Sequence, residues 1–264
     1  MRKGDEFVAA KVIVVGIQKG GCAKTTTTSI LAHLLAEQNQ KILCIDTDSQ
    51  GNLSDVLTQQ DLEDFSEHTL FEAIKEEDLA KYIVKTENEN IDVVVADDYL
   101  ALVPRYLYTQ RANKINYFMR DLIAQVKVQY DYILIDTPPS LSEFTIASIV
   151  AADHVLVLSE TSKWSLGAIG RFLETVSHAQ QNFSNVKVAG ILLSMQDSRR
   201  SDNLYFLKKI QEQYGDLVLN KVIKRKASTG RISAFGFSDN PELKDAIREY
   251  RDVINELKER GVLE

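Results

Sequence analysis

Apolar residues along this chain gather in short unbroken runs separated by stretches in which they recur at helical spacing. Lys11 to Ile17, Lys41 to Asp46, Ile91 to Ala96, Tyr132 to Asp136, His154 to Ser159 and Val186 to Met195 read as strands buried on both faces, with another near Leu219 to Ile223. Between them, Ile30, Leu31, Leu34 and Leu35 repeat through about Gln38, and Ser142 to Ala151, Trp164 to Asn182 and Asn203 to Gly215 read as helices. The final helix, Pro241 to Arg260, places Ala246, Ile247, Tyr250, Val253, Ile254 and Leu257 on one face and Pro241 in its first turn, which predicts packing against the core. Strands alternating with helices predict an α/β fold with a doubly wound, mostly parallel sheet in one domain, residues 1–264.

Two stretches depart from that rhythm. Leu53 to Asn90 is acidic and helix-prone, with Thr69 to Lys75 and Asp78 to Val84 as candidate short helices on a solvated face. Lys224 to Asn240 reads as a loop.

The first strand runs straight into Gln18-Lys19-Gly20-Gly21-Cys22-Ala23-Lys24-Thr25-Thr26 and a helix leaves it. Strand, glycine loop and helix N-terminus together form a phosphate cradle: backbone N–H groups turn inward, Lys24 reaches the outer phosphates, and the Thr25 hydroxyl suits Mg²⁺. Lys19, Gly20, Gly21, Cys22, Ala23, Lys24, Thr25 and Thr26 are the expected nucleotide-binding residues. Gln18 and Ala23 stand where G-x-x-x-x-G-K-[ST] has its glycines. If position 23 needs a positive φ, its methyl group costs about 1 kcal/mol.

The variant that is met, K-G-G-x-x-K-T-T, resembles the deviant phosphate loop of the ParA/MinD family of partitioning and positioning ATPases. Asp46-Thr47-Asp48-Ser49-Gln50-Gly51-Asn52 resembles that family's D-x-D-P-Q-G-N switch segment, with Ser49 for proline, and Tyr132 to Pro139 resembles its Walker B strand ending D-T-P-P. The resemblance implies that Lys19 reaches the partner's phosphates across an ATP-bound dimer, and that Asp48 orients the attacking water. It further implies that Asp46 supports the Mg²⁺ shell and that Asp136 holds Mg²⁺ through water. Met195 and Asp197 are weak nucleobase candidates, and Lys224 to Asn240 matches the family's pocket loop only at Arg225 and Gly236.

Composition narrows the function further. The chain has 264 residues, 44% hydrophobic and 26% charged, as in ordinary globular proteins. No apolar run approaches the roughly 18 residues of a membrane span and no signal-peptide core follows the polar start, so a cytoplasmic protein is expected. Cys22 and Cys44 have no metal or disulfide spacing; Cys22 reads as a small loop filler. Net charge is −7, yet Arg199 to Arg231 carries nine bases against three acids, a net of +6, and the acidic stretch Gln59 to Asp92 carries −8. Arg199, Arg200, Lys208, Lys209, Lys224, Arg225, Lys226 and Arg231 are therefore candidate DNA-phosphate contacts. A second basic and aromatic stretch runs from Arg105 to Arg120, with Tyr106, Tyr108 and Tyr117 interleaved.

With a loop that begins near residue 18, the chain is similar to short ParA proteins that lack an N-terminal DNA-reading domain. That implies an ATPase using ATP and Mg²⁺, dimeric on ATP, bound non-specifically to nucleoid DNA and stimulated by a ParB-like partner, with no membrane attachment. A MinD-like membrane-associated ATPase is the alternative, and it predicts a basic amphipathic C-terminal tail. Lys244 to Arg260 instead holds five bases and five acids. An iron-protein-type reductase would need cluster cysteines outside the loop, and a DNA-binding module without enzymatic activity would show no ATP turnover.

Overall fold

The computed structural model describes residues 9–196, 203–237 and 241–264. Eight strands form one sheet: β1 (Lys11–Gly16), β2 (Ile42–Asp46), β3 (Val84–Lys85), β4 (Ile91–Val94), β5 (Tyr132–Asp136), β6 (His154–Ser159), β7 (Lys187–Gln196) and β8 (Val218–Lys224). Their order is β3-β4-β2-β5-β1-β6-β7-β8, and every pairing is parallel except β3 with β4. The expected α/β class is what is found. Every residue of β2 and β5 is buried, which is why these strands read as continuous apolar runs rather than alternating ones.

The helices among the described residues are α1 (Lys24–Ala36), α2 (Asn52–Thr58), α3 (Leu70–Glu76), α4 (Val103–Gln110), α5 (Phe118–Ala124), α6 (Glu143–Ala151), α7 (Ser165–Asn182), α8 (Asn203–Tyr214), α9 (Ile232–Phe235) and α10 (Pro241–Glu259). The amphipathic face of α10 is buried as expected, with Ala246, Tyr250, Val253, Ile254 and Leu257 each no more than 2% exposed. Val262 and Leu263 continue that burial, and the Glu264 N–H donates to the Tyr132 hydroxyl at 2.9 Å. Val262 and Leu263 are thus part of the core. No helix among the described residues is long and apolar enough to cross a membrane.

Three local expectations are revised. Asp78 to Val84 holds only a 3₁₀ turn, Ala80–Tyr82, before the two-residue edge strand β3. Leu79 and Tyr82 are buried while the β-branched Ile83 and Val84 favour extension, so tertiary packing overrides helical propensity there. The acidic stretch also begins with α2, whose Leu53, Val56 and Leu57 are buried rather than solvated. Lys224 to Asn240 includes α9, which stops at Gly236 with φ 60.

The exposed edge of β8 is closed by carboxylates of α10. Glu256 accepts from the Asn220 N–H at 2.9 Å, and Glu249 from the Lys224 N–H at 3.0 Å. Edge amides satisfied this way are unavailable to another strand.

Candidate functional site

Parallel order brings the C-terminal ends of β1, β2, β5 and β6 to one edge of the sheet. There the loop between β1 and α1 borders a cavity of about 300 Å³, lined by Gly20 through Thr26 together with Ser29, Asp48, Asn52, Val56, Pro139, Thr229, Gly230, Ile232 and Ser233. The phosphate loop and Asp48, far apart in sequence, are therefore neighbours. Thr229, Gly230, Ile232 and Ser233 are lining residues that sequence reasoning missed, because a three-residue 3₁₀ turn and the four-residue α9 give no periodic signal.

Gly21 takes φ 74 and Ala23 takes φ 60, ψ 33, so position 23 occupies the left-handed region where the plain pattern has glycine. The methyl group is strained there by about 1–2 kcal/mol. Ala23→Gly should raise the midpoint of denaturant unfolding by up to about 1 kcal/mol equivalent, since relief of strain outweighs the added unfolded-state freedom of glycine. A lowered midpoint would show that the methyl packing matters more than the backbone. Cys22 is buried, with its thiol pushed up by desolvation, and its carbonyl accepts from Ser194 Oγ on β7 at 2.8 Å. It is an inert filler that pins the loop, and Ser194 is a second contributor with no sequence signal.

The loop's two lysines rest on protein acceptors. Lys24, only 8% exposed, donates its ammonium to the Lys19 carbonyl at 3.3 Å. Lys19 forms an ion pair with Glu160, just beyond β6, and donates to Ser162 Oγ at 3.2 Å.

Two buried aspartates face one another in register at the ends of β2 and β5. Asp136 accepts from Thr25 Oγ1 at 2.6 Å through one oxygen, while its other oxygen, Oδ1, is buried without a hydrogen-bond partner among the described residues. Burial, and then the neighbouring Asp46, push its carboxyl well above the usual carboxylate range. A buried carboxylate with a vacant lone pair beside a threonine hydroxyl is chemistry suited to a hard cation. Asp46 is also raised by burial, but it is fully engaged. One of its oxygens accepts from the Asp48 N–H at 3.1 Å, and the other from the Leu53 N–H, the Ser54 N–H and Ser54 Oγ at 2.8–3.0 Å. In this structure Asp46 shapes the turn that carries Asp48 and holds the start of α2. Gly51, at φ 61 with the Ala96 carbonyl and Leu62 crowding any Cβ, lets that turn close.

The remaining sequence candidates are dispersed. The side chain of Met195 and all of Asp197, Arg199 and Arg200 lie outside the described residues. Lys208 and Lys209 flank Glu212 on α8, and Lys226 pairs with Asp245 and Glu249 of α10. Lys224, Arg225 and Arg231 are exposed. In the second basic stretch, Arg111 and Lys114 pair with Glu77, Arg120 pairs with Asp121 and lies over the Tyr117 ring, and Arg105 is exposed.

A phosphate cradle, an adjacent metal-suited carboxylate and an aspartate at the rim define a phosphate-loop ATPase. A family model described as an AAA domain matches residues 10–189. The chromosome partitioning protein ParA of Caulobacter vibrioides is 32% identical over 234 residues, covering 86% of this chain and 85% of that protein. An ATP complex of McdA from Cyanothece superposes with a TM-score of 0.85 at 25% identity, over 97% of this chain and 98% of that one. Cobyrinic acid a,c-diamide synthase from Mycobacterium smegmatis, with bound ATP analog and magnesium, gives 0.79 at 29% identity over 96% and 97%. The chain belongs to the ParA family of partition ATPases.

Proposed function

We propose that this chain is a DNA-segregation ATPase that binds ATP with Mg²⁺, dimerises on ATP, coats DNA without sequence preference and turns over when a ParB-like partner engages it. The observation that carries the reading is the meeting of Lys24, Thr25 and Asp48 around one cavity, with Asp136 hydrogen-bonded to Thr25 and the Lys19 carbonyl to Lys24, on a family member's fold.

In that reading, loop amides and Lys24 hold the β- and γ-phosphates, and Thr25 and Asp136 are the residues that would hold Mg²⁺. The cation, when bound, neutralises charge on the phosphates. Asp48, whose Oδ1 is held by the Gln50 N–H at 3.2 Å, orients the attacking water from the turn shaped by Asp46. Lys19 supplies charge across the dimer. Light scattering should show a dimer with ATP and not with ADP, and Lys19→Ala should remain monomeric with ATP bound. A dimer independent of nucleotide would overturn the reading. The membrane-associated alternative lacks support among the described residues, because α10 and the residues after it bury their apolar side chains.

For DNA, Arg225 is the strongest candidate in the basic segment: it is exposed and pairs with no acid among the described residues, whereas Lys226 already serves two carboxylates. Arg225→Ala should weaken binding of the ATP form similarly on unrelated DNA sequences. It should also reduce the slope of log affinity against log salt by about 0.9 for each phosphate that is no longer neutralised. Lys226→Ala should do less. Fluorescence anisotropy across a salt series measures both, and unchanged affinity in Arg225→Ala would place the DNA surface elsewhere.

A further inference from the structure

We propose that Glu160 is a latch that holds Lys19 in its own protomer, so that ATP-driven association proceeds only when phosphate charge displaces Glu160 from the lysine. The inference rests on the dimer reading above and adds to it a residue that no sequence motif marked.

Glu160 is not a loose surface acid that happens to meet a lysine. It sits one residue past β6, and its carbonyl accepts from Ser165 Oγ in the first turn of α7. Ser165 Oγ is in turn 3.0 Å from Ser162 Oγ, the second acceptor of the Lys19 ammonium. Ser165 is fully buried and Ser162 is 7% exposed, so the acceptor pair is fixed by the packing of α7 on the strand end. The Lys19 and Glu160 side chains are themselves only 25% and 32% exposed. Lys19 is thereby given one address in the ligand-free protomer.

The electrostatic consequence follows from charge balance. While Glu160 neutralises Lys19, the pair offers little attraction to an incoming phosphate, and Glu160 repels it. Once Lys19 leaves, Glu160 remains beside the loop as an uncompensated acid, which offsets part of the gain from the new lysine–phosphate interaction. Association therefore requires a strongly anionic ligand in the partner, and the latch raises the threshold for dimer formation. A residue that merely aimed Lys19 toward its partner would have the opposite effect when removed, which makes the sign of the mutant decisive.

Removal of a partly exposed ion pair is worth about threefold per protomer. A symmetric dimer opens two such latches, so Glu160→Gln should lower the ATP-dependent dimer dissociation constant about tenfold. Ser162→Ala, which removes only the second acceptor, should shift it the same way and less. In the Lys19→Ala background, Glu160→Gln should restore nothing, and the double variant should stay monomeric with ATP. Analytical ultracentrifugation with ATP and Mg²⁺ across protein concentration reads all four. If the wild type stays monomeric, the dimer reading falls and the latch with it. If the wild type dimerises while Glu160→Gln associates equally or more weakly, or if Glu160→Gln rescues dimerisation without Lys19, the latch alone is overturned.

Discussion

Lys24→Ala is expected to lose nucleotide binding, while Asp48→Ala keeps it and loses turnover by about 10²–10⁴-fold. The difference follows from where the two side chains stand. Lys24 is nearly buried at the head of α1, and its ammonium rests on a single neutral carbonyl at 3.3 Å. A cation with so little compensation gains strongly from a phosphate, through charge-assisted hydrogen bonds roughly twice as strong as neutral ones. Its loss removes attraction from ground state and transition state alike. Asp48 instead lines the same cavity from a turn outside the phosphate loop, and negative charge at the rim does nothing to attract a nucleotide. Its contribution arises only when water attacks. Titration calorimetry with ATP and Mg²⁺, beside phosphate-release assays, separates the two. Equal loss of affinity in both variants would remove Asp48 from the water-orienting role.

Much of this site was legible in the sequence because its key residues come in dense local clusters. Lys19 to Thr26, Asp46 to Asn52 and Tyr132 to Pro139 each end an apolar run, and parallel strand order is enough to bring such ends together. What escaped depends on long-range partners. Ser194 holds the loop from 172 positions away in sequence, and Thr229, Gly230, Ile232 and Ser233 complete the cavity from a 3₁₀ turn and the four-residue helix after it. Glu160 reads as an ordinary acid after a strand until Lys19 is found beside it. Backbone conformation was legible only as a condition: the sequence shows that Ala23 replaces a glycine, and the observed φ of 60 shows that the replacement carries strain. Charge counting was least reliable. The +6 segment shares its lysines with acids of α8 and α10, so Lys226 contributes less free charge than its position in a basic run suggests.

Asp136→Asn should make the ligand-free protein more stable at pH 8 while removing Mg²⁺-dependent turnover. Asp136 is buried beside Asp46, has one oxygen without a partner, and has its carboxyl pushed from 3.8 to about 8. A carboxyl whose folded pKa lies above its unfolded value binds its proton more tightly when folded. Its stabilising contribution is therefore complete below about pH 4 and is lost progressively as pH rises through about 8. Asp46, raised to about 6 mainly by burial, adds a loss in the same direction over the lower part of that window. The wild type should accordingly lose thermal stability from pH 5 to pH 8 without ligand. Asparagine preserves the shape without a charge to bury, so it should flatten the upper half of that decline. At pH 8 its midpoint should exceed the wild type's by at least the ~2–4 °C that 1 kcal/mol shifts a chain of about this size. At pH 5 the gap should be smaller, because only the part of the linked loss between about pH 4 and pH 5 has accumulated there. ATP with Mg²⁺ should reverse the order at pH 8, since only the carboxylate can turn its buried charge to use beside a cation. Differential scanning fluorimetry at both pH values, with and without nucleotide and Mg²⁺, tests each step. A variant that is equally displaced from wild type at pH 5 and pH 8 would show that Asp136 carries no linked proton.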